Sequence, residues 1–169
     1  MKMARISAIV FALLLIGYVL FLICTVLLLP LPQRMATHFD ASGQPNGWMS
    51  RSSAVTFQLV IGLILPLIIA AAFYSLKFVP TRWINCSRRD FWFSSERRDE
   101  TCTYLLRQGL WLASLEVGLQ SVLWYQLIEN NSTSIPHLSS SAFLVTLGVF
   151  VAAMIAWIMR LICHFRKAI

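Results

Sequence analysis

Leu105-Leu-Arg107-Gln-Gly109-Leu-Trp-Leu-Ala113-Ser-Leu-Glu116-Val-Gly-Leu-Gln120-Ser-Val-Leu-Trp124-Tyr-Gln-Leu-Ile128 reads as a membrane-spanning helix with a polar stripe. Between Arg107 and Glu129 its one charge is Glu116. Gly109, Ala113, Glu116 and Gln120 recur at helical steps and share one face. Outward from this stretch, three windows carry no charge at all: Arg5 to Arg34, Arg51 to Lys77, and Glu129 to Arg160. Each window is long enough for the ~20 residues that cross a ~30 Å hydrocarbon core as a helix. The apolar runs are continuous rather than alternating, which predicts helices and not strands. The expected spans are 6–29, 54–76, 105–128 and 142–163, in a single domain covering 1–169. An outer loop at 30–53, a cytoplasmic loop at 77–104 and an outer turn at 129–141 join them. The predicted fold class is all-α, an integral membrane four-helix bundle.

Composition agrees. Of the 169 residues, 58% are hydrophobic and 12% charged, against ~25% charged in a soluble domain. The mean hydropathy is +0.71. A net charge of +7 could point to nucleic acid, but its placement argues for a membrane. Lys2, Arg5, Lys77, Arg82, Arg88, Arg89, Arg97, Arg98, Arg107, Arg160, Arg166 and Lys167 fall on one side of a four-span chain. Only Arg34 and Arg51 fall on the other. That asymmetry is the positive-inside pattern, and it predicts both termini in the cytoplasm. The basic side then meets anionic headgroups, so the lipid bilayer is the expected partner and nucleic acid is not. The first run follows Lys2 and Arg5 but is too long for a signal-peptide core, and no small-x-small site follows it. It is expected to stay as the first span. Cys24, Cys86, Cys102 and Cys163 lack metal-type spacing and read as free thiols. Asn130 and Asn131 meet a glycosylation sequon, a pattern common by chance.

Glu116 is the strongest chemical candidate. It lies about 11 residues into its span, so ~16 Å deep at ~1.5 Å per residue, close to the midplane. An ionised carboxylate is expensive there. Two readings stand open. One is a proton- or ion-sensitive site, or an anchor for a polar substrate. The other is a protonated Glu that bonds Gln120, Ser114 or a freed carbonyl and fixes helix packing. Small residues at Gly62, Pro66 and Ala70, and at Gly148, Ala152 and Ala156, predict faces that pack with the Gly109 face. Pro66 is expected to kink its helix and free a carbonyl.

In the outer loop, His38 and Asp40 could meet His137 or Glu129 at a metal. A loop network, with Asp40 in an Asx-turn, is the favoured reading, and no metal or cofactor is expected. Gly43, Pro45, Asn46 and Gly47 are turn chemistry, and Trp48 fits as an interfacial anchor. In the cytoplasmic loop, Ser94 or Ser95 is expected to cap a helix that starts at Glu96 and runs into the third span. Phe91-Trp92-Phe93 beside arginines reads as a belt at the headgroups, and His164 as a membrane-edge residue. No nucleophile–base pair, phosphate loop or haem signature stands out, so a non-enzymatic role is expected.

Two loop motifs carry a family resemblance. Pro30, Pro32, Ala36-Thr37-His38-Phe39-Asp40, Gly43, Pro45-Asn46-Gly47-Trp48 and Ser50-Arg51 resemble the His-aromatic-Asn…Gly-x-Pro-x-x-Trp-x-Ser-Lys/Arg pattern of a bacterial membrane family of unknown function. The same unit forms the N-terminal part of SdpI-type immunity proteins. Asp40 stands where Asn is usual, and Arg51 where Lys is frequent. Asn85, Arg89-Asp90-Phe91-Trp92 and Glu96-Arg97-Arg98-x-Glu100-Thr101 resemble the inner loop of stand-alone four-span members, with Ser87 and Ser95 where prolines are common. The resemblance implies a multi-pass protein of the bacterial cytoplasmic (inner) membrane. SdpI-type proteins protect against a secreted peptide toxin and hold a repressor at the membrane, and they have further C-terminal spans. The expected function is binding or sensing at the outer loop, through His38, Asp40 and Trp48, coupled to Arg89, Trp92, Arg97 and Arg98 inside. The alternative is a small transporter or accessory subunit using Glu116, which predicts a membrane protein partner or a homo-oligomer.

Overall fold

The computed structural model describes residues 2–166, with side chains from Ala4 onward. Lys167, counted in the charge pattern, lies outside the described residues. The chain is mostly helical. Helix α1 (Lys2–Leu28) leads into an antiparallel hairpin of β1 (Arg34–Phe39) and β2 (Pro45–Ser50). Helices α2 (Arg51–Leu59) and α3 (Leu65–Ser75) follow, fused through a π-turn at Val60–Ile64. A short helix α4 (Arg89–Trp92) precedes α5 (Arg98–Asn131) and α6 (Ser140–Arg166). Three helical segments are long and apolar enough to cross a membrane: Ala4–Leu28, Arg51–Ser75 and Ser140–Arg166. The chain is therefore multi-pass. The fourth expected span, 105–128, lies inside α5, whose 34 residues include Arg107, Gln108, Glu116, Gln120 and Gln126.

These polar residues are tolerable because α5 is the central helix. It packs against α1 on one side and α3 on another, with α6 more loosely alongside. The core runs along one face of α1, through Phe11, Tyr18 and Leu22, and meets Leu110, Ala113, Val117, Trp124 and Ile128 of α5. Trp124 is fully enclosed, and its indole N–H donates to the Thr25 hydroxyl at 2.8 Å. The outward faces of α1, α3 and α6 carry leucine, isoleucine and valine, the surface that a helix offers to lipid.

Several expectations are amended. The all-α reading missed the hairpin, a device that lets a segment near the membrane edge satisfy its own backbone. The small-residue faces do not converge as a set. Gly62 lies under the Tyr18 ring and Gly109 under Phe73, each too close for a β-carbon. Gly148 faces open space, and Ala152 and Ala156 are exposed. Helix α6 uses another face, where Trp157 donates to the Gln108 carbonyl at 2.9 Å and Gln126 of α5 reaches the Thr146 hydroxyl at 2.8 Å. Pro66, which lacks an N–H for the helix ladder, is absorbed by the π-turn just before it. Helix α5 begins at Arg98 rather than Glu96, with no side-chain cap; the Ser94 carbonyl accepts the N–H groups of Arg97 and Arg98.

Candidate functional site

The hairpin is built from the motif residues of the 30–53 loop. Ala36 faces Trp48, His38 faces Gly47 and Phe39 faces Pro45, with the register slipping at Thr37 and at Asn46. Asp40 organises the tip. One of its carboxylate oxygens accepts from the Ser42 hydroxyl at 2.7 Å and from the N–H groups of Ser42 and Gln44 at 2.8 and 3.0 Å. These bonds, the Ser42 hydroxyl foremost, hold its carboxyl below the usual range. The Asx-turn expected for Asp40 is thus present. Gly43 closes the turn at φ +82°, where its own carbonyl accepts the Leu138 N–H at 3.0 Å. The Leu138 carbonyl would sit 2.6 Å from any β-carbon at that position. Glycine is needed there for two reasons, the left-handed backbone and the contact with the 129–141 turn. Gly47 is similar: a β-carbon would lie 2.8 Å from that of His38.

The other end of the hairpin docks on helices. The Ser50 hydroxyl caps α2 by accepting the Ser53 N–H at 3.1 Å, and Arg51 donates to the Leu31 carbonyl at 3.3 Å. Met35 and Ala36 are completely buried. Asn131, at the last turn of α5, clamps Ala36 like a neighbouring strand. Its amide oxygen accepts the Ala36 N–H at 2.7 Å, and its amide N–H donates to the Ala36 carbonyl at 2.9 Å. A second N–H holds the Leu127 carbonyl at 2.9 Å. Both N–H groups of that amide and one acceptor position of its oxygen are used, so the sequon reading of Asn131 gives way to a structural one. His38, Asp40, Asn46 and Trp48 stay exposed on the outside of the hairpin, and Arg34 stacks over Trp48 at 5.5 Å. Among the described residues, no three of His, Cys, Asp and Glu gather closely enough to hold a metal ion.

Glu116 is buried in the bundle. Neither of its oxygens has a hydrogen-bond partner. The Gln120 side chain, one turn on, approaches Glu116 as a hydrogen-bond donor but outside strict bonding geometry, and Tyr18 of α1 is near enough to interact electrostatically. The Tyr18 hydroxyl is itself committed to the Gln58 carbonyl at 2.6 Å, just before the π-turn. The Ser114 hydroxyl, offered as a partner from the sequence, bonds the Leu110 carbonyl at 2.8 Å instead. Tyr18 thus spends its donor on a backbone carbonyl and not on Glu116. Tyr18 and Gln58 escaped notice, although polar side chains inside charge-free windows were the signal that could have found them.

At the opposite end from the hairpin, the 77–104 loop folds back. Arg98 reaches past the end of α3 to the carbonyls of Leu76, Lys77 and Val79 and to the Thr81 hydroxyl. It closes the carbonyls that a helix leaves open at its C-terminus. The Phe-Trp-Phe cluster splits. Phe91 is exposed under the Arg97 guanidinium, while Phe93 is buried and Trp92 packs on His164 and Phe165 of α6. Two of the three rings therefore meet protein rather than headgroups. His164 stacks on Tyr104 with centroids 3.6 Å apart. Asn85, Asp90 and Glu96 are exposed, and Arg89 bonds Asp90 at 3.3 Å. A half-open cavity of about 770 Å³ lies here, between the start of α1, α4, the start of α5 and the end of α6.

Residues 8–62 match the model of a family described as a domain of unknown function, DUF1648. The match takes in most of α1, the hairpin and the helix as far as Gly62, the glycine beneath Tyr18. Neither the curated proteins nor the solved structures gave a match to this chain.

Proposed function

We propose that the chain is a four-span protein of the bacterial inner membrane that recognises a ligand at its outer hairpin and couples this to its cytoplasmic loop. One observation carries the reading: α5 holds both ends. Its last turn clamps β1 through Asn131, and its first turn ties down the 77–104 loop through Arg98. A helix packed along α1 and α3 between these two grips is a direct mechanical link. It also has to lie as deep as they do, which supports the fourth span and, with the positive-inside pattern, cytoplasmic termini. The action read here is recognition rather than catalysis, with His38, Asp40, Asn46 and Trp48 as the exposed outer surface. The resemblance to SdpI-type proteins supports a peptide as the outer ligand.

The coupling can be tested without knowing the ligand. Cys86 sits partly exposed in the inner loop, and its labelling rate reports on that loop. Loosening the hairpin with Asn131→Ala should change the Cys86 rate in a background lacking the other cysteines. An unchanged rate would break the proposed link. Cross-linkers at positions 46 and 48 in native membranes should capture the outer ligand, and terminal reporters should place both ends inside.

A second reading, a small transporter or accessory subunit, is supported by Glu116, whose carboxyl lacks any hydrogen bond in the core. Proton-coupled flux in liposomes that vanishes in Glu116→Gln would favour it. Flux absent from the wild type would remove it.

A further inference from the structure

The cavity at the inner end presents both signs of charge, and they do not neutralise each other. Arg97 and Arg107 line it together with Asp99 and Glu100. The only ion pair among the described residues is Arg89 with Asp90, outside this cavity. Neither guanidinium donates a hydrogen bond to a described residue; each has its face against a ring, Arg97 on Phe91 at 3.9 Å and Arg107 on Tyr104 at 5.1 Å. Stacking of this kind holds a guanidinium while leaving N–H groups for an anion; in Arg107 the Nε is buried without a partner, so its terminal N–H groups would serve. The two carboxylates stand in the first turn of α5, exposed and without a hydrogen-bond donor among the described residues. Trp92 and Tyr104 supply an aromatic wall. The cavity lies where α1 starts and α6 ends, beside the ends of two helices that are long and apolar enough to cross a membrane.

We propose that this cavity binds a phosphoethanolamine group, its phosphate on Arg97 and Arg107 and its ammonium on Asp99 and Glu100. A purely anionic occupant would be repelled by the two carboxylates, and a purely cationic one by the two arginines. A zwitterion satisfies both pairs at once, and the aromatic wall suits the carbon chain between its charges. The same chemistry comes from a membrane lipid headgroup or from a soluble phosphoethanolamine ester. The site stands on the cavity alone and does not depend on outer-loop recognition.

The full-length protein in detergent would be titrated with glycerophosphoethanolamine by calorimetry. In parallel, native mass spectrometry would follow lipid retained after transfer from mixed phosphatidylethanolamine and phosphatidylglycerol nanodiscs. Preferential retention of phosphatidylethanolamine is expected. Binding of the soluble ester as well would show that the headgroup suffices, whereas retention of lipid alone would assign the site to the membrane. The paired variants Arg97→Gln/Arg107→Gln and Asp99→Asn/Glu100→Gln should each weaken binding roughly tenfold or more. The exposed single variants Arg97→Gln and Glu100→Gln stand in for any pair that does not fold. Equal retention of phosphatidylglycerol, with no effect of neutralising the acids, would overturn the proposal. So would the absence of binding of either probe.

Discussion

Replacing Asn131 by alanine should release the hairpin from the bundle. The side chain makes a two-way clamp on Ala36, a residue with no exposed surface. Alanine leaves the Ala36 N–H without an acceptor and its carbonyl under-satisfied, while water has no route in unless the hairpin moves. A buried donor stripped of its partner costs about 1–3 kcal/mol, and the carbonyl adds less. A total of about 2–3 kcal/mol makes local opening roughly 30- to 150-fold more frequent. Hydrogen exchange across residues 34–39 of the detergent-solubilised protein reads this directly. The gain should be confined to the hairpin, with the core of α5 around Val117 unchanged. Asn131→Asp sharpens the test. An aspartate can still accept the Ala36 N–H, but its other oxygen would face the carbonyls of Ala36 and Leu127. It should therefore loosen β1 at least as much as alanine. Exchange within about twofold of wild type in both variants would refute the clamp, since even 0.5 kcal/mol exceeds such a change, at about 1.4 kcal/mol per decade.

Gly62→Ala should destabilise the protein by about 1–3 kcal/mol through overpacking, because its β-carbon would fall 2.3 Å from the Tyr18 ring. Adding Tyr18→Leu should recover part of that loss in a thermal double-mutant cycle, and strict additivity would count against the contact. Glu116→Leu should unfold at the same temperature as wild type or higher, because a buried carboxyl without a partner is a net cost. A marked fall in its melting point would reveal a structural bond to Glu116. The Asp40 carboxyl is held low mainly by the Ser42 hydroxyl, so the fold favours its ionised form. Order at the tip should be complete above the ordinary Asp range near ~4, and lost as pH falls through the depressed native value. Exchange protection at Ser42–Gln44, taken relative to the unstructured rate at each pH, should show this loss in the wild type and no such step in Asp40→Asn.

Three of the expected spans were legible as long apolar helices, because exclusion of charge from hydrocarbon is a coarse and robust constraint. Windows such as 6–29 and 142–163 coincide closely with α1 and α6. The hairpin was not, because Arg34–Phe39 and Pro45–Ser50 are short, bulged and without strict alternation, and their pairing depends on α5. Turn chemistry at Asp40 and Gly43 could be read locally, since both act through backbone bonds within a few residues. Asn131 could not: in a polar turn one asparagine looks like any other, and its partner lies 95 positions away. Glu116 was placed correctly in the interior, but which neighbours would already be committed elsewhere depends on Tyr18 and Ser114 choosing backbone carbonyls. The outward turn of Gly148, Ala152 and Ala156 was hidden for a like reason: a small stripe marks where close approach is allowed, not where it happens.

The polarity of α5 also bears on how the protein is made. A segment with Arg107, Gln108, Glu116, Gln120 and Gln126 is a poor candidate for release into lipid by itself. By the time it leaves the ribosome, α1 and the α2–α3 helix have already been made, and they are the apolar partners that it packs against in the finished fold. On the four-span reading proposed above, the chain order matches an order of insertion: two apolar helices first, then a polar one packed against both, then α6 alongside. A rearrangement that moved α5 ahead of its partners would keep every contact in the finished fold and yet strand the chain during its synthesis.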